Sequence, residues 1–155
     1  MLASLSRTAS MRGCGLRLAR AASFVAKSPE EWPVAWVGAL NSCDIAAMDA
    51  LCQPPFTFVV AGKKMELDSM GSLLNFDKMK EMGWRKTTIQ DVSVMHGDES
   101  QVHVSAILER HMADGAIEET CSVFFLTKVD EYYRLMVGGN ATAGGSTLVS
   151  AISGK

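Results

Sequence analysis

Asp91, Arg110 and Glu119 are the side chains of this 155-residue chain whose types and spacing best suit chemistry. Arg110 and Glu119 flank Asp114-Gly115, a dipeptide that favours the type I′ hairpin turn because both central residues must tolerate positive φ. With those residues at the loop centre, Ala113 pairs with Ala116 and Arg110 lies opposite Glu119. On an otherwise apolar sheet face such a pair, if buried, would orient a small polar ligand. At a rim it is a salt bridge worth about 0 to 1 kcal/mol. Asp91 enters for another reason. Ile89 and Val92 differ in strand parity, so both turn inward only if a bulge near Asp91 adds a residue, and a bulge can re-aim a carboxylate as a general base.

The remaining reactive types exclude more than they offer. His111 and Glu118 form a second pair on the opposite face, read as structural, and His96 precedes a turn. His103 and His111 lie eight residues apart on one strand, roughly 26 Å, too far to share a metal ion. Cys43, Cys52 and Cys121 contain no CxxC pair, and each reads as a small buried hydrophobe. Gly144-Gly145-Ser146 lacks both the Lys and the following helix of a phosphate-binding loop. No metal and no cofactor are expected, and no serine or cysteine triad has an assignable geometry.

The elements that must position these groups occupy residues 28–138, enough for one domain. Ser28 as N-cap, Pro29 as first helical residue and Glu31 three residues on make a capping box. Trp32, Val34, Trp36, Val37 and Leu40 then form an apolar stripe. Asp44 caps a second helix carrying Ile45, Met48, Leu51 and Cys52. Pro54-Pro55 ends it before a strand over 56–60, and Gly62-Lys63-Lys64 is a turn. A third helix runs from about Asp68 through Met70, Leu73, Leu74 and Met79, with Gly83 past its end. Strands follow over 85–96, 101–112, the segment after Gly115, and 132–137. The register above puts Val102, Val104, Ala106, Leu108 and Arg110 beside Glu119, Cys121, Val123 and Phe125. It leaves His103, Ser105 and Ile107 with Thr120 and Phe124 on a mixed face that suits a sheet-to-sheet homodimer. Helices followed by a long curled antiparallel sheet give an α+β fold, with three N-terminal helices on the sheet's concave side.

The run Trp36-Val37-Gly38-Ala39-Leu40-Asn41-Ser42-Cys43-Asp44-Ile45-Ala46-Ala47-Met48-Asp49-Ala50-Leu51-Cys52, then a strand, a Gly turn and a helix, resembles the opening of NTF2-like proteins. That superfamily includes SnoaL-like polyketide cyclases and ketosteroid isomerases, and Cys43 stands where its members often have Gly. The resemblance implies a cone-shaped domain, a pocket between helices and sheet, and a homodimer through sheet faces. Trp32, Trp36, Phe58, Val60 and Cys121 are the candidate pocket-lining residues. In the isomerases the resemblance would place a Tyr hydroxyl on the first helix and a carboxylate base at the end of the strand after the second. Laid on without gaps, those positions are Trp36 and Val60. An indole N–H only donates, and Val60 has no lone pair to accept a proton. The leading expectation is therefore a non-catalytic module binding a small apolar ligand or a protein partner. The alternatives are a SnoaL-like or isomerase-like enzyme using Asp91, Arg110 and Glu119, and a structural subunit of a mitochondrial complex.

Charge separates an address from this domain. Residues 1–29 carry Arg7, Arg12, Arg17, Arg20 and Lys27 and no acid, whereas all 17 acidic residues follow from Glu30 onward. Residues 1–23, rich in Arg, Ser, Ala and Leu, are expected to be a transit peptide. The expected destination is the mitochondrial matrix, with the plastid second and processing just after Arg20. No apolar stretch reaches the length of a membrane span. Without residues 1–20 the chain holds 11 basic and 17 acidic residues, which argues against a nucleic-acid partner. Residues 139–155 are expected to be a loose Gly-rich tail, and the sequon Asn140-Ala141-Thr142 would matter only in a secreted protein.

Overall fold

The computed structural model describes residues 24–142; the transit peptide assigned to 1–23 and the tail from 143 lie outside the described residues. Helix α1 (Glu31–Asn41) starts later than the capping box implies, with Pro29 and Glu30 in a turn before it. The box is half made: the Glu31 carboxylate accepts the backbone N–H groups of Lys27 at 2.8 Å and Ser28 at 3.2 Å. Helix α2 (Ile45–Ala50) is capped by Asp44, which accepts from the Ala47 N–H at 2.9 Å. Cys43, between the helices, takes a φ of 54°, the left-handed conformation that glycine adopts most readily. Packing begins before Ser28, because the Ala26 carbonyl accepts from the Tyr133 N–H at 2.9 Å and Ala26 is fully buried.

The expected third helix is two short pieces. A 3₁₀ turn (Met70–Ser72) is anchored by Asp49, which accepts from the Ser69 hydroxyl and the Met70 N–H, both at 2.7 Å. Asn75 then caps α3 (Phe76–Glu81) by accepting from the Lys78 N–H at 3.0 Å. Each cap restarts the helix, so no single one runs from Asp68 to Gly83.

Six strands form one sheet in the order β2-β1-β6-β5-β4-β3. Strand β1 (Cys52–Val60) includes Pro54 and Pro55, and it hairpins into β2 (Lys63–Leu67) through Ala61 and Gly62. Their φ values of 50° and 75° suit a type I′ turn, so Lys63 and Lys64 belong to a strand that the sequence reading missed. The other strands are β3 (Trp84–Gly97), β4 (Gln101–Met112), β5 (Ile117–Val129) and β6 (Tyr132–Thr142). All neighbouring pairs are antiparallel except β1 and β6, which run parallel. The expected bulge is present, with the register of β3 on β4 slipping between Ile89 and Asp91. Strand β6 continues to Thr142, so Gly139, Asn140, Ala141 and Thr142 are strand rather than tail. Gly138 is required there, because a Cβ would sit 2.7 Å from the Phe58 ring that crosses it.

The helices cover one face of this sheet and the core fills the space between. Trp32 is fully buried, stacked on Trp36 at 5.0 Å and tilted against Phe124 at 4.8 Å, and its indole donates to the Leu51 carbonyl at 3.0 Å. Val34, expected in the apolar stripe, is instead 58% exposed, while Ala35 and Ala39 are buried. At the C-terminal end of α1, Asn41 grips β3: its amide donates to the Thr87 carbonyl and accepts from the Thr87 N–H, both at 2.8 Å. This clamp fixes the helix against the sheet at the level of the cavity described next.

Candidate functional site

A cavity lies between α1, the short helical pieces and the inner face of the sheet. Its interior measures ≈ 60 Å³, within ≈ 660 Å³ of empty space that includes the mouth. A single water needs about 10–15 Å³, so the interior is roomy for several waters or part of a small organic molecule. Trp36 and Leu40 line it from α1, and Met70, Leu73, Leu74 and Met79 from the helical pieces. Phe58, Val60, Leu108 and Phe124 form the sheet wall.

Four polar residues interrupt this apolar lining: Thr87, Arg110, Ser122 and Asn140. Thr87 is spoken for, since its hydroxyl accepts from the Trp84 indole at 3.0 Å. Ser122 and Asn140 face each other across β5 and β6, and Asn140 is the register partner of Val60 on β1. The Asn140 side-chain oxygen is buried and has no hydrogen-bond partner. Buried polar atoms are almost always satisfied, so an orphan acceptor on a cavity wall marks a place where a donor belongs. Arg110 pairs with Glu118 at 3.9 Å, with side-chain exposures of 12% and 19%. Burial pulls the guanidinium pKa below its ordinary value and Glu118 pulls it back. An arginine nevertheless keeps its proton, so the cavity wall carries a fixed positive charge.

Of the sequence candidates, Trp36, Phe58, Val60 and Arg110 reach this cavity, while Trp32 packs behind Trp36 and does not line it. Asp91 is exposed and accepts a hydrogen bond from Ser93 at 3.1 Å, so the bulge aims it away from the cavity. Glu119 and Cys121 are exposed on the outer face, which corrects both their expected placement and the Arg110–Glu119 pairing.

The cause is one residue of register. The loop after β4 has three residues, not two: the Gly115 N–H bonds the Met112 carbonyl at 3.1 Å and the Met112 N–H bonds Ala116 at 2.9 Å. Gly115 takes a φ of 88°, as the last position of a three-residue hairpin loop requires. Arg110 therefore faces Glu118, His111 faces Ile117, and Thr120, Ser122 and Phe124 turn inward. A slip of one residue exchanges every side chain between faces. The face proposed for self-association thus loses Thr120 and Phe124. It consists instead of His103, Ser105 and Ile107 beside Cys121, Val123 and Phe125, with the His103 and Phe125 rings 4.1 Å apart. His111 joins the Thr88 hydroxyl at 2.8 Å rather than Glu118.

Ser122 and Asn140 were the site residues that sequence reasoning missed. Asn140 was assigned to the tail because Gly138 and Gly139 precede it, and only the β5–β6 ladder shows its place. No cluster of three His, Cys, Asp or Glu is placed to hold a metal among the described residues. No helix among them is long and apolar enough to cross a membrane.

No protein-family model and no curated protein matches the chain at the level of sequence. Solved structures do match. A protein of unknown function with a cystatin-like fold from Nostoc punctiforme superposes with a TM-score of 0.61 at 11% identity, covering 76% of this chain and 90% of that one. An NTF2-like protein with a cystatin-like fold from Novosphingobium aromaticivorans gives 0.60 at 14% identity, over 79% of this chain and 84% of its own. A candidate scytalone dehydratase from the same organism gives 0.57 at 12%, over 73% and 80%. Identities this low establish the fold and nothing finer. The chain has the same fold as these NTF2-like, cystatin-like structures: helices packed on a curved mixed sheet.

Proposed function

We propose that this protein binds a small, mainly apolar molecule in the cavity between α1 and the inner sheet face. One observation carries the reading: ten apolar side chains and one buried cation line the cavity, and its described lining contains no Asp, Glu, His or Cys. Such a wall holds and orients a ligand, with few polar groups to fix its direction. It offers no side chain able to accept a proton near neutral pH. Toluene, a neutral apolar probe, tests this in the full chain. Its addition should shift the methyl NMR signals of Met70 and Met79, two flexible side chains on the cavity wall. Unchanged methyl signals at saturating probe would overturn the reading.

A second reading, an enzyme acting on a small apolar carbonyl compound, is favoured by Arg110. A positive charge held at a cavity wall stabilises negative charge that develops on a carbonyl oxygen. The candidate scytalone dehydratase that shares this fold lends it support by analogy only. Turnover that disappears in Arg110→Gln, under conditions where toluene still binds, would establish it over simple binding.

Import into mitochondria and self-association through the outer sheet face complete the proposal. The basic, acid-free segment ahead of Glu30 supports the first. Processing just after Arg20 would leave Phe24, whose ring lies against Gly38, in the mature chain. N-terminal sequencing of protein isolated from cells should begin between about Ala21 and Ser28, and a mature protein starting at Met1 would refute it. An apolar groove lined by Val59, Cys121, Val123, Phe125 and Val137 supports the second, and light scattering at micromolar concentration tests it.

A further inference from the structure

We infer that the ligand is a small neutral phenol, bound with its hydroxyl donating to the Asn140 side-chain oxygen and its ring against Trp36 and Phe58. This rests on the cavity being a ligand site, and deepens that reading by naming the chemical class the site takes. Asn140 sits between two register neighbours, Val60 on β1 and Ser122 on β5, and shares the cavity wall with both. Its oxygen is buried and finds no donor among the described residues, although Ser122 lies beside it. A buried amide oxygen without a donor costs free energy, which an N–H or O–H of a bound molecule offsets.

The rest of the lining narrows the donor. An ammonium would bring its charge to a wall whose described residues include no Asp or Glu, and a buried unpaired charge costs far more than a buried hydroxyl. An anion is not called for either. Arg110 already faces Glu118 at 3.9 Å, and both side chains are engaged further within the protein. The donor is therefore neutral. Trp36 and Phe58 lay nearly parallel ring faces along the wall, 6.5 Å between centroids and 16° between planes. Such faces favour a flat aromatic body over a branched chain, and Met70 and Met79 can re-pack around its edge. A phenol joins that flat body to a single O–H donor and stays uncharged near neutral pH.

The test is calorimetric titration of the full chain with two pairs of matched shape: phenol against toluene, and anisole against ethylbenzene. In each pair an oxygen replaces a carbon, but only the phenol oxygen can donate. Water solvates both oxygens, so an apolar wall with no open acceptor rejects both oxygenated members. With Asn140 accepting, phenol should bind at least as tightly as toluene. Anisole should bind roughly tenfold more weakly than ethylbenzene, a difference of about 1.4 kcal/mol. In Asn140→Leu the affinity of phenol relative to toluene should fall by about the same factor. The wild-type pairs decide the matter even if that variant fails to fold. Phenol binding more weakly than toluene, as it would if water alone served the Asn140 oxygen, overturns the inference while sparing the cavity as a ligand site. Anisole binding as tightly as ethylbenzene overturns it too, because the wall then presents a donor to the ligand. An unchanged ratio in a folded Asn140→Leu places the hydroxyl elsewhere and also overturns it. Failure of all four compounds to bind removes both readings.

Discussion

On the inner face of β4 and β5, Val104, Ala106, Leu108, Ser122 and Phe124 are buried, whereas on the outer face of the same strands Ser105, Ile107, Cys121, Val123 and Phe125 stay partly or fully exposed. The inner face meets helices and carries one cation, Arg110, in an apolar wall. The outer face mixes rings, a thiol and acids, with no helix over it among the described residues. Strand periodicity makes the two faces equally regular in sequence, so composition alone does not say which is which. What separates them is the three-residue loop at Ala113, Asp114 and Gly115. Chemistry assigned to one face by counting residues moves wholesale to the other when a loop gains a residue.

The comparison can be broken most sharply at its two large aromatics. Trp32→Ala removes a fully buried indole with its hydrogen bond to Leu51, and should cost about 3–5 kcal/mol in urea unfolding. Phe125→Ala, at a ring 40% exposed in a single copy, should cost about 1 kcal/mol when the protein is dilute enough to be monomeric. A larger loss at Phe125 that depends on protein concentration would show that the outer face is covered by a second copy.

Next comes the loop itself. Gly115→Ala forces a Cβ into a φ of 88°, with open space around it, so the cost is conformational and not steric. It should be about 1–2 kcal/mol by the same measurement. No loss would mean that the loop can adopt another turn and that the register is less firmly held than its hydrogen bonds indicate.

Thiol labelling reads the two faces directly. Cys121, exposed on the outer face of a single copy, should react with a maleimide in the native protein when it is dilute, and more slowly at concentrations where copies pair through that face. Cys52 should not react until the protein unfolds. Its thiol donates to the Met48 carbonyl at 3.4 Å, and burial, aided by Asp49, pushes its pKa up to about 12. Fast native labelling of Cys52 would contradict this packing.

The smallest effect is expected at Asp98, in the turn between β3 and β4. Its carboxylate accepts from the Ser100 hydroxyl and N–H, both at 2.7 Å, and from the Gln101 N–H at 2.9 Å. The Ser100 side-chain bond, then the two backbone bonds, hold its pKa down at about 2 against an ordinary 3.8. A depressed carboxyl pKa stabilises the folded state above the unfolded value, and that contribution fades as pH falls from 3.8 toward 2. Asp98→Asn should flatten the acid limb of the stability curve in that window, and an unchanged limb would show the turn to be energetically idle.

The cap at Asp44 was legible in sequence, whereas the start of α1, the restart of the helix at Asn75 and the long-range pairing were not. Asp44 and the break at Cys43 follow from side-chain chemistry within a few residues, and both are present as expected. The bulge near Asp91 followed from the parity conflict of Ile89 and Val92, yet the direction of the Asp91 carboxylate did not. Pro54 and Pro55 signalled the end of a helix, but they lie in β1 where its register on β6 shifts between Cys52 and Thr57, so the missing N–H groups leave no gap in the ladder. Asn140 was hidden because Gly138 and Gly139 have no side chains to give a strand pattern. The lack of bulk at Gly138 is what lets β6 pass beneath Phe58.

Strand β1 lies parallel to β6, and Val60 meets Asn140 eighty positions later. During synthesis both helices and the first hairpin emerge long before the strand that ties them to the rest of the sheet. Closing so large a loop costs entropy before any contact repays it, which places this junction among the last contacts expected to form. The first hairpin must wait with one edge unpaired, a state prone to joining other chains. A ribosome that stops at Gly138 would release a chain holding every apolar residue of the cavity, and Ser122, but not the Asn140 that faces it. Asn140 therefore joins the cavity wall only when the last strand has been added to the sheet.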